Sequence, residues 1–360
     1  MFHSAGARNN PKMKFTSAFD IDERKLKKTA RIYKMDYFID YDEFLKSDID
    51  AVLIMVPHYL HEPLVVKAAE AGKHVLCEKP MARTLEECDT MIQATEKAGV
   101  KFMIAENHRF LPAHKYIAEA IHNGWLGRVF LIRSYEGVNE ISGLMDPELW
   151  KGDPIKAGGG ALMDMGVHKF ATLNWILNDT VETASTWLTK QCTNLKEKAE
   201  DNAMTLMNYK NGAIANITVS FTVVTPPTNS LEIYGTKGSI LENHMWEHPV
   251  KINSTHGDLE ENANKWFEPD IEHAPFPKYY EISARIEDAY FTDCILNDKE
   301  PEFTPQDARE AVATVLLSYL SARKEKSVNY EELMEIYQTD GTLSILKGLE
   351  KVVKNYCPND

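Results

Sequence analysis

Two residues four positions apart, Asp164 and His168, carry side chains suited to acid–base chemistry. They follow three consecutive glycines, 158–160, and begin a segment, 161–177, whose apolar spacing predicts a helix. On a helix, side chains four apart share a face, so the carboxylate can hold the tautomer of the imidazole and stabilise its charged form. Spacing alone favours an ordinary surface pair at a helix start. The three glycines weigh against that interpretation, because they indicate a backbone that passes close to another group.

The elements that must position this pair begin with an alternation of strands and helices. The run at 51–56 is continuously apolar, as expected for a strand buried on both faces. Strict alternation predicts right-handed βαβ units, with a parallel sheet and helices on both of its faces. The predicted strands are 15–19, 51–56, 74–77 and 101–105, and the predicted helices are 22–33, 62–71 and 84–98.

After residue 106 the pattern changes to that of an α+β domain with an open, mainly antiparallel sheet. Residues 241–280 lack periodicity and are predicted to form long loops. Helices are predicted at 112–123, 281–297 and 305–322, and strands at 129–135, 183–188, 203–209, 213–223 and 231–234. The chain therefore divides into four parts: a nucleotide-binding domain (1–108), a substrate and oligomerisation domain (109–282), returning helices (283–330) and an extra C-terminal helix (331–360).

Composition excludes several classes of protein. The 360 residues carry a formal charge of −14, which argues against nucleic acid or an anionic membrane as the main partner. No apolar run approaches the roughly 18–20 residues that span a bilayer. Five scattered cysteines without CxxC spacing indicate a reducing, cytoplasmic setting and no zinc site. The histidines contain no HExxH motif, so the sequence predicts no metal site.

Polar residues follow each predicted strand of the first domain, where a parallel sheet binds its ligands. Asp20 can accept the hydroxyls of an adenosine ribose and repel a 2′-phosphate, which favours NAD over NADP; it is equally suited to capping the next helix. Lys79, beside Glu78, is either a surface charge or a proton-transfer group tuned by a carboxylate. The remaining residues at these strand ends are Pro57, His58, His61, Asn107 and Arg109.

Three motifs in this order resemble the glucose–fructose oxidoreductase/inositol dehydrogenase (Gfo/Idh/MocA) family: AEAGKHVLCEKP at 69–80, GGG followed by D-x-G-x-H at 158–168, and IYGTKGS at 233–239. The resemblance covers residues 10 to 328. It implies a Rossmann domain that binds a nicotinamide cofactor, NAD, and a second domain whose open sheet joins subunits into a homodimer or homotetramer. By position, Lys79, Asp164 and His168 match the family's catalytic residues. Its cofactor contacts match Asp20, Pro57, His58, His61, Glu78, Lys79 and Asn107.

One departure from the family concerns the start of the chain. The family begins with a strand and a G-x-G-x-x-G turn that holds the pyrophosphate, and this sequence has no such motif. Residues 1–8 resemble the middle and end of the helix that follows that turn. We therefore expect the first strand of the Rossmann sheet to be missing, and the natural protein to begin roughly 20–25 residues upstream.

The resemblance implies an NAD-dependent oxidoreductase that acts on a secondary hydroxyl of a sugar, cyclitol or glycoside, with carbon 3 of a glucoside as one version. His168 would take the hydroxyl proton, Lys79 would stabilise the oxygen, and Asp164 would orient His168. Arg109, Tyr135 and Trp150 are predicted to line the carbohydrate site. The alternative is a sugar- or NAD-sensing regulatory protein on the same scaffold, which need not keep the three proton-transfer residues.

Overall fold

The N-terminal domain is an α/β unit whose parallel strands form two separate sheets. The computed structural model describes residue 3 and residues 10–194, 198–225, 227–276 and 278–357. Its strands are β1 (Ser17–Phe19), β2 (Asp36–Phe38), β3 (Ala51–Ile54), β4 (His74–Glu78) and β5 (Phe102–Ala105). Its helices are α1 (Glu23–Tyr33), α2 (Tyr41–Leu45), α3 (His61–Glu70) and α4 (Leu85–Ala98). Strand β2 was not predicted, because its three residues are too few to show periodicity.

The two sheets do not share a ladder among the described residues. Strands β1 and β2 pair with each other, and β3, β4 and β5 form the second sheet, all in parallel. Apart from His3, the residues compared with the end of a helix, 1–8, lie outside the described part of the chain.

The second domain is built on one nine-stranded sheet, as predicted in its mainly antiparallel character. Its spatial order is β12-β11-β10-β6-β9-β8-β7-β13, with β14 pairing to β7. Within the described part of this sheet, β6–β9 and β7–β14 are the pairs that run in parallel. The strands are β6 (Val129–Gly137), β7 (Val181–Lys190), β8 (Asn202–Tyr209), β9 (Ile214–Ser220), β10 (Thr228–Gly235), β11 (Gly238–Asn243), β12 (Val250–Ser254), β13 (Val328–Asn329) and β14 (Lys354–Asn355).

Helices of the second half cover the sheet and return to the first domain. They are α5 (Pro112–His122), α6 (Ile141–Leu144), α7 (Val167–Leu177), α8 (Lys278–Leu296), α9 (Pro305–Lys324), α10 (Tyr330–Thr339) and α11 (Leu343–Leu346). Helix α9 is the centre of the core, because all its residues from Ala311 to Ala322 are buried. A helix buried on all sides must be flanked by other elements. Here they include α4, α7 and β7.

Two sequence-based predictions of this half are wrong. Residues 241–280 are not all loop, since they contain β12, the end of β11 and the start of α8. The segment 331–360 is not one helix: α10 ends at Thr339, and Gly341 and Gly348 then adopt left-handed backbone conformations that stop helical continuation. This segment packs on α4, where the Tyr337 hydroxyl donates to Asp89 at 2.6 Å.

Candidate active site

The carboxyl ends of β3, β4 and β5 bring three loops to one edge of the sheet. The strands are in register, with Ile54 opposite Cys77 and Glu78 opposite Ala105. The residues that follow each strand are therefore neighbours, which places His58, Lys79 and Glu106 at the same edge. This is the edge where open parallel sheets bind ligands.

The three glycines pass close to another part of the protein, as predicted, and the partners are Tyr319 of α9 and Glu200. A Cβ atom on Gly159 would overlap the Tyr319 hydroxyl, and one on Gly160 would overlap the carbonyl oxygen of Glu200. The Tyr319 hydroxyl accepts from the amides of Gly160 and Met163 at 3.2 Å and donates to Glu200 Oε1 at 2.9 Å. The glycines thus fix the chain against the core directly before Asp164.

The segment after the glycines begins with a π-helical turn, Leu162–Gly166, and becomes α-helical only at Val167. The wider turn changes the angular relation of residues four apart, so Asp164 and His168 do not pair. The prediction that Asp164 orients His168 is therefore wrong. Single π turns inside α-helices recur at functional sites.

Asp164 instead lies between two lysines. Its Oδ1 accepts from Lys79 Nζ at 2.8 Å, and its Oδ2 is 3.1 Å from Lys151 Nζ. Lys79 Nζ also donates to the Asp164 carbonyl oxygen at 2.9 Å. Burial alone would raise the pKa of Asp164, but the two lysines hold that pKa well below its usual value. Burial would lower the pKa of Lys79, but Asp164, with Glu78 and Glu106, raises it. The pair is therefore ionised at neutral pH.

His168 pairs with Glu106, the residue directly after β5. Its Nδ1 lies 2.6 Å from Glu106 Oε1, and both side chains are buried. The imidazole of His108 stacks on that of His168 with ring centres 4.2 Å apart. Glu106 was not predicted as a site residue. Its position after a parallel strand, equivalent to that of Lys79, was the signal that would have identified it.

Of the predicted substrate residues, the structure brings only Trp150 to the cleft. Its ring makes an edge contact with His58, with centres 4.6 Å apart, and it precedes Lys151 in the chain. The prediction for Arg109 is not supported: its guanidinium lies over Trp175 and Phe303, in a cation–π arrangement 4.6 Å and 5.2 Å from the ring centres.

Tyr135 is also directed away from the cleft. Strand β6 alternates its side chains, and the two neighbours of Tyr135, Ser134 and Glu136, are buried. Tyr135 therefore lies on the opposite face of the sheet. Glu136 faces His108, with its Oε1 4.0 Å from His108 Nε2.

The predicted cofactor contacts occupy different environments. His61 is fully buried, with Nδ1 2.9 Å from the carbonyl oxygen of Pro80 and Nε2 3.0 Å from that of Val56, so its ring joins two loops and is not free to reach a ligand. Glu78 lies 3.1 Å from His3 Nε2. The amide of Asn107 donates to Ser283 of α8 at 3.2 Å.

The other three predicted contacts stand at the strand ends. Pro57 is half-buried before the short turn His58–Leu60, and Nδ1 of His58 lies 2.7 Å from the Ala157 carbonyl oxygen. Asp20 is exposed and accepts from the Asp22 amide at 2.8 Å, while Asp22 is the actual N-cap of α1. The carboxylate of Asp20 is thus accessible beyond β1, and the described residues fit the ribose and nicotinamide ends of a dinucleotide.

Comparisons with known proteins agree with this arrangement. Residues 1–106 match the family described as an oxidoreductase family with an NAD-binding Rossmann fold. Residues 114–241 match the GFO/IDH/MocA C-terminal domain. Among the described residues, no helix combines the length and apolarity needed to cross a bilayer.

Curated relatives and solved structures are similar over most of the chain. Myo-inositol 2-dehydrogenase of Thermotoga maritima is 28% identical over 297 residues, 80% of this chain and 81% of that protein. 1,5-Anhydro-D-fructose reductase of Ensifer adhaerens is 36% identical over 56% of this chain and 60% of its own length. The structure of levoglucosan dehydrogenase with NADH and levoglucosan aligns with a TM-score of 0.80, at 22% identity, over 91% of this chain and 94% of that one.

Proposed function

Because the chain belongs to the GFO/IDH/MocA family of NAD-dependent oxidoreductases, we propose that it oxidises or reduces a secondary hydroxyl of a sugar, cyclitol or glycoside. One observation carries this proposal: a Lys79–Asp164 ion pair and a His168–Glu106 pair lie one helical turn apart at the ligand edge of a parallel sheet. The named relatives act on compounds of this class.

The residues of the chain supply the proton transfer. With Nδ1–H of His168 donated to Glu106, the lone pair on Nε2 is available to take the hydroxyl proton. Lys79, held charged by Asp164, donates a hydrogen bond to the same oxygen and stabilises its developing negative charge. Bound NAD would supply the acceptor for the hydride that leaves the carbon.

Trp150 and Lys151 form the side of the cleft assigned to the substrate. The indole offers an apolar face of the kind that packs on a sugar ring, and Lys151 Nζ is 3.1 Å from Asp164 Oδ2. A hydroxyl of the substrate can replace part of that ion pair. We therefore still propose Trp150 as a substrate contact, and we no longer propose Arg109 and Tyr135.

The sensing alternative has no support from the relatives or structures described above, all of which are oxidoreductases. The structure also pairs Lys79 with Asp164, both partly buried, and pairs the buried His168 with Glu106. A sensor needs affinity for a sugar but not a lysine and a histidine placed for proton transfer.

Cofactor content and a substrate panel test the proposal. The purified protein is denatured and the released nucleotide identified by mass spectrometry; the protein is then mixed with sugars, cyclitols, anhydrosugars and glucosides while NADH absorbance is followed. We expect NAD(H) and turnover of at least one compound, lost in the Lys79→Ala variant. Binding of sugars without turnover in either direction, with NAD(H) present, would favour the sensing alternative.

Oxidation at carbon 3 is the finer version of this proposal. A glucoside that carries deuterium at carbon 3 is expected to transfer its label to the nicotinamide, which mass spectrometry of the NADH detects. Unlabelled NADH formed from that glucoside would exclude carbon 3 and leave the broader proposal intact.

We also propose a homodimer or homotetramer formed through the open face of the nine-stranded sheet. Exposed apolar side chains lie opposite one another on neighbouring strands of this face, Trp187 beside Met204 and Leu131 beside Ile214. Such contiguous apolar patches are typical of interfaces. Light scattering of the full chain tests the assembly, and a monomer at micromolar concentration would contradict it. A cytoplasmic setting stays a prediction from the cysteine pattern.

A further inference from the structure

A second group of buried histidine and carboxylate side chains lies outside the cleft, between α5 and the edge of the large sheet. His114 is in the first turn of α5, while Glu242 and His244 are two residues apart at the end of β11, so they lie on one face. Their exposures are 2%, 1% and 3%. One ligand atom from each of the three lies within 4.8 Å of the others.

Hydrogen bonding leaves these atoms unsatisfied. His114 Nδ1 donates to the carbonyl oxygen of His108 at 2.9 Å, which places the lone pair on Nε2. No described atom forms a hydrogen bond with that Nε2, with either oxygen of Glu242 or with either ring nitrogen of His244. His244 Nε2 lies 2.6 Å from Glu242 Oε1, but the contact lacks hydrogen-bond geometry.

Burial of these three side chains without further hydrogen-bond or metal partners destabilises the folded protein. A buried polar group without a hydrogen-bond partner destabilises the folded state, and a buried carboxylate does so more strongly. The nearby cation, Lys169, is committed elsewhere: its Nζ bonds to Asn229 and lies 3.5 Å from Glu136. A cation between His114, Glu242 and His244 would satisfy all three side chains at once.

We propose that His114 Nε2, the Glu242 carboxylate and His244 bind one divalent transition-metal ion, with Zn²⁺ as the best match. Two imidazoles and one carboxylate are an established donor set for Zn²⁺ that leaves a fourth position open. The bond from His114 Nδ1–H to a backbone carbonyl is the support that metal-binding histidines usually have.

A water molecule would complete the coordination as the fourth ligand. A small cavity lined by His244, His273, Tyr279 and Leu111 adjoins the cluster. The sequence did not predict this site, because its ligands are 130 residues apart in the chain and form no local motif such as HExxH. The signal that the sequence did contain was the alternation Glu242-x-His244 on a strand.

The group at the cleft, Glu106, His108 and His168, also has metal-ligand spacing. There, however, Glu106 and His168 already share a hydrogen bond of good geometry at 2.6 Å. The metal is therefore assigned to the cluster of His114, Glu242 and His244 alone, and the test must distinguish this cluster from the group at the cleft.

Metal analysis of tag-free protein tests the proposal directly. Protein purified without chelators is dialysed against metal-free buffer and analysed by plasma mass spectrometry; we expect about one Zn²⁺ or other transition-metal ion per chain. Removal of the ion by a chelator should lower the melting temperature, and added Zn²⁺ should restore it. Co²⁺ added to the stripped protein should give the visible absorption of a four-coordinate site.

Matched variants locate the ion. Glu242→Gln and His244→Ala should lose the metal and the Co²⁺ absorption, whereas His248→Ala, an exposed histidine of the same segment, and His168→Ala should keep both. Folded wild-type protein that holds no metal and gives no Co²⁺ absorption would overturn the proposal. Loss of the metal in His168→Ala but not in His244→Ala would do the same. The wild-type measurements need no substitution, so they test the proposal even if the variants misfold.

Discussion

Asp164 and His168 are four residues apart, yet their side chains belong to two different environments. Asp164 lies between Lys79 and Lys151, whose charges hold the pKa of the carboxyl well below its usual value. His168 lies against Glu106 on one side and the ring of His108 on the other. The π turn between them separates an ion pair that is charged at neutral pH from the imidazole proposed to exchange a proton.

This difference assigns separate tasks to the two carboxylates. Asp164 keeps Lys79 charged, so that the lysine can stabilise an anionic oxygen. Glu106 fixes the orientation of an imidazole and stabilises its protonated form, as carboxylates do for catalytic histidines. Substitutions of Asp164 and of Glu106 should therefore have different effects on the reaction.

The largest effect is expected from Lys79→Ala. Loss of a positioned donor should lower kcat by roughly 10²–10⁴-fold, while NADH binding and the melting temperature change little. Steady-state kinetics and NADH fluorescence titration measure both quantities. Lys67→Ala, which removes an exposed lysine of α3, is the matched control and should behave as wild type.

The two carboxylate variants should change opposite limbs of the pH profile of kcat/KM. Glu106→Gln removes the charge that stabilises the imidazolium, so the acid limb should shift to lower pH and the rate should fall roughly 10²–10³-fold. Asp164→Asn removes the main charge that raises the pKa of buried Lys79, so the alkaline limb should shift to lower pH. An acid limb that shifts only in Asp164→Asn would show that Asp164, and not Glu106, acts on His168.

A third carboxylate, Glu200, forms no ion pair with a lysine of the described residues, and its pKa is raised where that of Asp164 is lowered. Burial raises its pKa from 4.5 to about 7, although hydrogen bonds from Leu162 and Tyr319 oppose this. Between these pH values the folded state keeps a proton that the unfolded state has lost, so stability falls as pH rises. The loss reaches on the order of 3 kcal/mol by pH 7.

Glu200→Gln keeps the acceptor oxygen and removes the charge. Urea unfolding of both proteins at pH 4.5, 5.5 and 7 should therefore show a decline in the wild type that the variant lacks. Equal slopes for the two proteins would mean that Glu200 is ionised in the folded state, like Asp164.

A smaller change is expected in cofactor choice. The wild type should prefer NAD, and the double substitution Asp20→Ser/Ile21→Arg should shift the ratio of NAD to NADP efficiency by about tenfold or more towards NADP. Ile21 is 86% exposed, so the arginine can be accommodated. A wild type that already prefers NADP would limit Asp20 to the hydrogen bond it makes with the Asp22 amide.

The sequence was sufficient to predict four of the five parallel strands, the mainly antiparallel sheet and the sheet edge at which Lys79 lies. Apolar runs such as 51–56 and the motif around Lys79 are local signals, and the structure places Lys79 in the cleft with Asp164. The close approach of the three glycines was also predictable, because glycine is needed wherever a side chain would overlap a neighbour.

The partners in the cleft were not predictable, because they depend on non-local geometry. A π turn has no sequence period that distinguishes it from an α-helix, so Asp164 was paired with the wrong residue. The face of β6 that Tyr135 occupies depends on the register of the whole sheet. Arg109 lies outside the cleft because its guanidinium packs on the rings of Trp175 and Phe303, which are 66 and 194 residues away in the chain.

Single-turnover kinetics of His168→Ala test the central assignment most directly. Enzyme with bound NAD is mixed with excess substrate, and NADH formation is followed from pH 5 to 10 in the wild type, in His168→Ala and in the exposed-site control His248→Ala. We predict that His168→Ala forms NADH roughly 10²–10⁴-fold more slowly and loses the acid limb, because no side chain then takes the hydroxyl proton. A variant that forms NADH at the wild-type rate and keeps the acid limb would contradict the assignment of His168 as the base.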